Sequence, residues 1–272
     1  MERAVVDGLT LEYDVSGTGE SIVLIHGSFI ADTFRPLVVE TALTRRYRLL
    51  TYHRRGYAGS SQSERPLSIP EQAADCFALL RHLGIGRLHV VGHSFGGAVA
   101  LQMALDAPAT IRSLALLEPA LMVGATGESY RESLALAIRH FRETEPGLVV
   151  NEFLEARWPG YRAPLEEVLP GAFEQAVSDA WTTFEIELPG LLEWTFGEAE
   201  ARRIPQPVLS VLGGDSDALW ARFGETHRWL LSSLPNAESY VLPGTTHFLQ
   251  MQNPRDMAEA LTAFYTRHTS TR

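Results

Sequence analysis

Residues 92–97 read Gly92-His93-Ser94-Phe95-Gly96-Gly97, after the apolar run Leu88-His89-Val90-Val91 and before Ala98-Val99-Ala100-Leu101. A Gly-x-Ser-x-Gly stretch between a strand and a helix has the form of a nucleophile elbow. The spacing has a steric cause: so sharp a turn holds the serine in a strained backbone conformation, and Cβ atoms at the flanking glycines would meet neighbouring backbone. The hydroxyl is then presented above the sheet, beside the unpaired N–H groups of a helix N-terminus. A chance glycine-rich β–α turn would look similar in isolation, so the company this motif keeps decides its reading.

Bulk properties narrow the classes. The chain has 272 residues, 45% hydrophobic and 21% charged, which suits one α/β domain with an insertion or two small domains. A chain of this length buries about three quarters of its unfolded surface, so a core forms without disulfide or metal staples. The net charge of −10 argues against a nucleic-acid partner, which calls for a basic stripe. All 23 Lys+Arg residues are arginine, which excludes lysine Schiff-base and pyridoxal chemistry. Cys76 is the only cysteine, so no internal disulfide is available. The start, Met1-Glu2-Arg3-Ala4, lacks a signal-peptide pattern, and no apolar run approaches the roughly 20 residues that span a bilayer. A cytoplasmic protein with no membrane association, monomer or homodimer, is expected. None of the nine histidines stands at ligand spacing to a cysteine or another histidine, so neither a metal nor any other cofactor is expected.

Short Val/Ile/Leu-rich runs alternate with longer helical patterns, the signature of a mainly parallel sheet with helices on both faces. Strands are expected at 2–6, 10–16, 21–26, 47–53, 87–92, 111–117, 207–213 and 237–242, and helices near 70–84, 95–107, 218–233 and 253–267. Leu11-Glu12-Tyr13-Asp14-Val15 alternates as an antiparallel edge strand should. Residues 121–204 carry helical periodicity and no strand pattern, with corners at Pro146, Pro159, Pro164, Pro170 and Pro189. The expected organisation is therefore a core of 1–120 and 205–272 with an inserted helical cap at 121–204. The cap holds Trp158, Trp181 and Trp194 with five phenylalanines, most of them expected to form its own core and one or two to face the site. The tail 268–272 is expected to fray.

A serine hydroxyl becomes a nucleophile only when a base takes its proton. The base candidate is His247, in Leu242-Pro243-Gly244-Thr245-Thr246-His247-Phe248, a short loop after the last strand. The other histidines sit on helices, in a strand or inside glycine motifs, without catalytic company. A tetrahedral intermediate also needs two N–H donors for its oxyanion. One is expected from Phe95, directly after the serine. The second is expected from Ser28, in Val23-Leu24-Ile25-His26-Gly27-Ser28-Phe29, where Gly27 lets backbone approach the substrate.

With these residues assembled, the chain resembles the α/β-hydrolase superfamily over essentially its whole length. The matching segments, in order, are His26-Gly27-Ser28, Arg55-Gly56-Tyr57-Ala58-Gly59-Ser60, Gly92 to Gly97 and Gly244-Thr245-Thr246-His247-Phe248. His53 stands where many members carry aspartate, and Ala58 where glycine is common.

The acid that orients the imidazole has competing candidates. The superfamily most often carries it after the strand that follows the cap, here Val211-Leu212-Gly213-Gly214-Asp215-Ser216-Asp217, yet the expected position falls on Ser216, between Asp215 and Asp217. The preferred candidate is Glu118, in Leu114-Ala115-Leu116-Leu117-Glu118-Pro119. A buried strand ending in a carboxylate implies a partner, because an unpaired buried charge is costly. Its alternative role is to cap the first helix of the cap. Acid placement after this strand resembles the zearalenone lactonases, and the haloalkane dehalogenases in that one respect. The lactonase resemblance also suggests Trp181 as a substrate contact.

An elbow serine, in place of the aspartate used by dehalogenases and epoxide hydrolases, implies acyl transfer. The expected function is cofactor-independent hydrolysis of a carboxylic ester or lactone of an apolar or aromatic small molecule through an acyl-serine intermediate. The same triad would serve C–C, amide or thioester hydrolysis or perhydrolysis, and a non-catalytic small-molecule receptor on this fold is the reading outside enzymology.

Overall fold

The computed structural model describes residues 1–268; residues 269–272, most of the tail expected to fray, lie outside the described residues. Eight strands form one sheet: β1 (Glu2–Val6), β2 (Leu9–Gly17), β3 (Glu20–Ile25), β4 (Tyr47–Tyr52), β5 (Leu88–His93), β6 (Ile111–Leu117), β7 (Val208–Gly213) and β8 (Ala237–Leu242). Their order is β1-β2-β4-β3-β5-β6-β7-β8. Pairings from β4 through β8 are parallel, while β2 runs antiparallel to both β1 and β4.

The interior strands are continuous apolar runs because both their faces are covered. Every residue of β5 is buried. Along β3 alternate side chains enter different cores: Val23 and Ile25 join one, Ile22 and Leu24 the other. The first core is closed by α2 (Ile69–His82) and α3 (Phe95–Asp106), the second by α1 (Thr41–Thr44) and α13 (Pro254–His268). A capping box starts α2: Glu71 N donates to Ser68 Oγ and Ser68 N to Glu71 Oε2.

The remaining helices are α4 (Gly127–Glu143), α5 (Pro146–Glu155), α6 (Arg162–Val168), α7 (Ala172–Ser178), α8 (Leu188–Glu193), α9 (Glu198–Ala201), α10 (Ser216–Leu219), α11 (Arg222–Ser233) and α12 (Leu249–Gln252). A π-helical turn, Thr182–Glu187, joins α7 to α8. Between β6 and β7 the chain is thus helix and turn throughout, crossing above the C-terminal strand ends where ligands of such sheets bind.

Two expectations are corrected. Strand β2 is not an edge: Asp7 and Gly8, with φ of 48° and 82°, turn the chain back so that β1 pairs outside it. An Asp-Gly pair is a strong two-residue hairpin signal, and β1 takes the edge in consequence. The helix expected at 218–233 is also interrupted. Trp220 is extended (φ −155°, ψ 103°), and its ring packs edge-on to Tyr130 and Phe223, each at 5.6 Å, so packing overrides helix continuation.

Candidate active site

Four loops at the C-terminal strand ends converge, one each after β3, β5, β6 and β8. Ser94 caps α3 with φ 51° and ψ −119°, a conformation that costs a side-chain-bearing residue energy and persists where surroundings enforce it. The surroundings are visible. A Cβ on Gly96 would lie 2.1 Å from Ile25 O, and one on Gly92 2.5 Å from Gly96 O. Ser94 N donates to Leu117 O (2.9 Å), and Ser94 O accepts from Ala120 N (2.9 Å), which locks the elbow against β6.

Glu118 follows β6, also at positive φ (44°), and is buried. Its Oε1 accepts from Gly213 N at 2.8 Å and its Oε2 from His247 Nδ1 at 2.7 Å. With Nδ1 carrying the proton, Nε2 of His247 keeps a lone pair. The His247 loop is held onto the elbow by His93, whose Nε2 donates to His247 O at 2.8 Å. Phe223 stacks on the His247 ring at 4.7 Å. Burial pushes the Glu118 carboxyl up to about 7, with Gly213 N–H and Arg222 acting the other way. Burial depresses His247 well below the ordinary imidazole value, and the Arg157 and Arg222 cations add to that. Charge on this pair is thus disfavoured before a reaction creates it.

The competing acids lie elsewhere. Asp215 is exposed, and Asp217, 45% exposed, faces Arg228 at 3.7 Å. Glu118 does not cap α4 either, because Glu225 takes the N–H groups of Ala125 (2.6 Å) and Thr126 (3.0 Å).

Ser94, His247, Ser28 and Phe95 line one narrow cavity of about 20 Å³, walled by Tyr130, Leu134, Phe153, Leu188, Leu191 and Phe248 among others. Gly27 brings the β3 loop against the elbow so closely that a Cβ there would sit 3.0 Å from Ser94 Cβ. Phe95 begins α3, and its N–H is one of the four that a helix leaves without an internal partner. Among the described residues Ser94 Oγ makes no hydrogen bond to His247; unliganded sites commonly hold this contact long. Larger cavities exist, including one of about 560 Å³ lined by Phe77, Leu80 and Ile85, but it holds no nucleophile and base.

Trp181 is a correction. The residue is 61% exposed and does not line this cavity. It precedes the π-helical turn, whose inward face is carried by Thr183, Phe184 and Glu187.

Glu187 and Arg54 escaped the sequence reading. Both are buried and form an ion pair under the β3 loop. Arg54 also donates to Gly27 O (2.9 Å), His26 O (3.1 Å) and Gln72 Oε1 (2.6 Å). Glu187 Oε2 accepts from Ser28 Oγ (2.7 Å) and Tyr57 OH (2.6 Å). The loop carrying Ser28 is therefore tied to the insertion. An arginine two residues beyond the end of β4, in the segment Tyr52-His53-Arg54, was the available signal.

Comparison with known proteins agrees with this architecture. The alpha/beta hydrolase family profile matches residues 22–260. The dihydrolipoyllysine-residue acetyltransferase component of the acetoin cleaving system of Pseudomonas putida is 28% identical over 281 residues, covering 98% of this chain and 70% of that protein. The fluoroacetate dehalogenase of a Burkholderia species is 35% identical over 127 residues, 43% of this chain and 40% of that one, so this chain spans less than half of the dehalogenase's length. Among solved structures, a thermophilic esterase from Thermogutta terrifontis superposes with a TM-score of 0.85 at 20% identity, over 99% of this chain and 100% of that one. The enol-lactonase from Burkholderia xenovorans LB400 gives 0.78 at 20%, over 97% and 100%. At such identities these two speak for the fold alone, and with the family match they lead to one conclusion: the chain belongs to the alpha/beta hydrolase family.

Proposed function

We propose that the protein hydrolyses a carboxylic ester or lactone through an acyl-Ser94 intermediate. The observation that carries this is the 2.7 Å bond from His247 Nδ1 to Glu118, in a site whose cavity is shared by His247, Ser94, Ser28 and Phe95. Ser94 Oγ attacks the carbonyl carbon as its proton passes to His247 Nε2. Glu118 stabilises the imidazolium so formed. The Phe95 and Ser28 N–H groups receive the oxyanion, each contributing about 3–4 kcal/mol. The C–O bond to the leaving alcohol breaks and His247 returns the proton to it. Water then attacks the acyl carbon, His247 takes its proton, and the acid leaves as Ser94 recovers its hydrogen.

The apolar walls Leu134, Phe153, Leu188 and Leu191 favour an apolar or aromatic substrate, and they come from the insertion. In this reading residues 121–204 act as a cap on the core of 1–120 and 205–272. A cavity of about 20 Å³ holds little more than a water, so the cap or its side chains shift to admit substrate. The lactone option is supported by acid placement after β6, the feature in which the sequence resembles the zearalenone lactonases.

The test is steady-state turnover of p-nitrophenyl acetate, butyrate and octanoate and one aromatic macrolactone, with Ser94→Ala as control. Multiple turnover is expected, falling by about 10⁴-fold or more in the variant while its fold is retained. Equal rates in the two proteins would overturn the mechanism. A folded protein silent across the panel would redirect attention to amide or C–C bonds, or to a receptor.

A further inference from the structure

Two buried arginines stand behind the catalytic cavity: Arg222 lies in the field of the Glu118 carboxylate, whereas no carboxylate acts on Arg157. Arg222 is 3% exposed and opens α11; its Nε and Nη1 have no hydrogen-bond partner, and its guanidinium lies 3.7 Å from the Tyr130 ring centroid, 4.8 Å from Trp220 and 4.7 Å from Phe223. Arg157 is 8% exposed; it lies 3.2 Å from the Phe153 centroid and 5.1 Å from Trp220, and bonds only the Phe153 carbonyl, at 3.0 Å. Neither has an ion-pair partner among the described residues. The two guanidinium groups lie 5.1 and 4.8 Å from the Trp220 ring centroid, and the Arg222 charge bears on Arg157. A buried cation without a partner is strongly destabilising, and cation–π contacts offset only part of that. Such an arrangement makes physical sense when an anion completes it.

A place for that anion exists. Arg157 lines a second cavity, of about 220 Å³, with Trp220, Ala137 and Val149. Leu134 and Phe153 line both this cavity and that of Ser94. Arg222 does not line this cavity; it packs on Phe223, which in turn stacks on the His247 ring. The other charged groups on the second cavity, Glu152 and His140, lie at its exposed mouth and bond each other at 2.9 Å.

We propose that Arg157 seats a carboxylate carried by the substrate, so that the ester or lactone hydrolysed at Ser94 is an anionic one with an apolar span between its two ends. The planar guanidinium fork matches a carboxylate, and a monoanion is less costly to dehydrate in this aromatic surrounding than a phosphate dianion. Burial lowers Arg157 to about 9, and the Arg222 charge adds to that. The seat rests on the acyl-Ser94 reading for its meaning as a substrate site, but its anion binding can be measured independently.

The experiment compares kcat/KM for mono-p-nitrophenyl adipate and pimelate with the same molecules ended by a primary amide in place of the carboxylate. Wild type is expected to favour the anionic member by about 10–100-fold, the value of hydrogen bonds to a charged group. In Arg157→Gln that ratio falls towards one; because it is a ratio within one protein, general damage cancels. No preference in wild type overturns the seat while leaving the hydrolase reading intact. In parallel, 3-phenylpropionate is titrated into Ser94→Ala by calorimetry. Saturable binding weakened at least tenfold by a second change, Arg157→Gln, supports the seat even if no ester is turned over. Binding that ignores the Arg157 change overturns it.

Discussion

Five non-glycine residues hold positive φ among the described residues, and three of them frame the site: Phe29 (70°) after Ser28, Ser94 (51°) and Glu118 (44°). Each such conformation costs about 1–3 kcal/mol and persists only where the surroundings over-determine it. Ser94, His247, Ser28 and Phe95 were legible because their motifs need particular neighbours. The acid was less so: Glu118, Asp215 and Asp217 all stand after a strand, and only three-dimensional proximity brings one of them to His247. We therefore expect Glu118→Gln to lower kcat at least a hundredfold and Asp217→Asn to leave it within threefold; the reverse order would reassign the acid. Stability should move oppositely. Burial raises the Glu118 carboxyl to about 7 from an ordinary 4.5, so its proton binding supports the fold fully below 4.5, and that support is lost as pH rises through 7. Glutamine has no such proton to lose. Thermal melts should find the variant more stable than wild type at pH 8 by about 1–3 kcal/mol, with the gap closing at pH 4. A gap independent of pH would contradict this account of the carboxyl.

Elements were readable where periodicity is strong and obscure where packing decides. All eight strands follow from apolar runs bounded by turn residues, whereas the break between α10 and α11 at Trp220 has no local signal and comes from aromatic packing against Tyr130 and Phe223. The π-helical turn at Thr182–Glu187 was equally hidden. It is bound to the core loop after β4 by Thr182 Oγ1 to Gly56 O (2.6 Å), by Thr183 Oγ1 to Tyr57 OH (3.0 Å) and by the Arg54–Glu187 pair. Removing one member of a buried ion pair leaves the other charge uncompensated, so Glu187→Ala should cost about 3–5 kcal/mol in urea unfolding. A cost below 1 kcal/mol would mean that this tie contributes little to holding the Ser28 loop.

At the scale of the whole molecule, the class of fold follows from alternation of strand and helix, but the strand order does not: nothing in β2 alone says whether it is an edge, and the Asp7-Gly8 hairpin settles it. The two buried arginines were invisible for a related reason, since Arg157 and Arg222 come from an insertion and from a helix after β7 that only the fold brings together. Among the described residues no helix is long and apolar enough to cross a membrane. The proposed function unites the scales in a serine made reactive by residues from four separate strand ends. The most direct test of that claim is covalent labelling with a fluorophosphonate, read by intact-protein mass and peptide mapping. One phosphonyl group per chain on the peptide containing Ser94, absent in Ser94→Ala and much slowed in His247→Ala, is the expected result. Labelling that persists in Ser94→Ala, or that maps to another residue, would contradict the account.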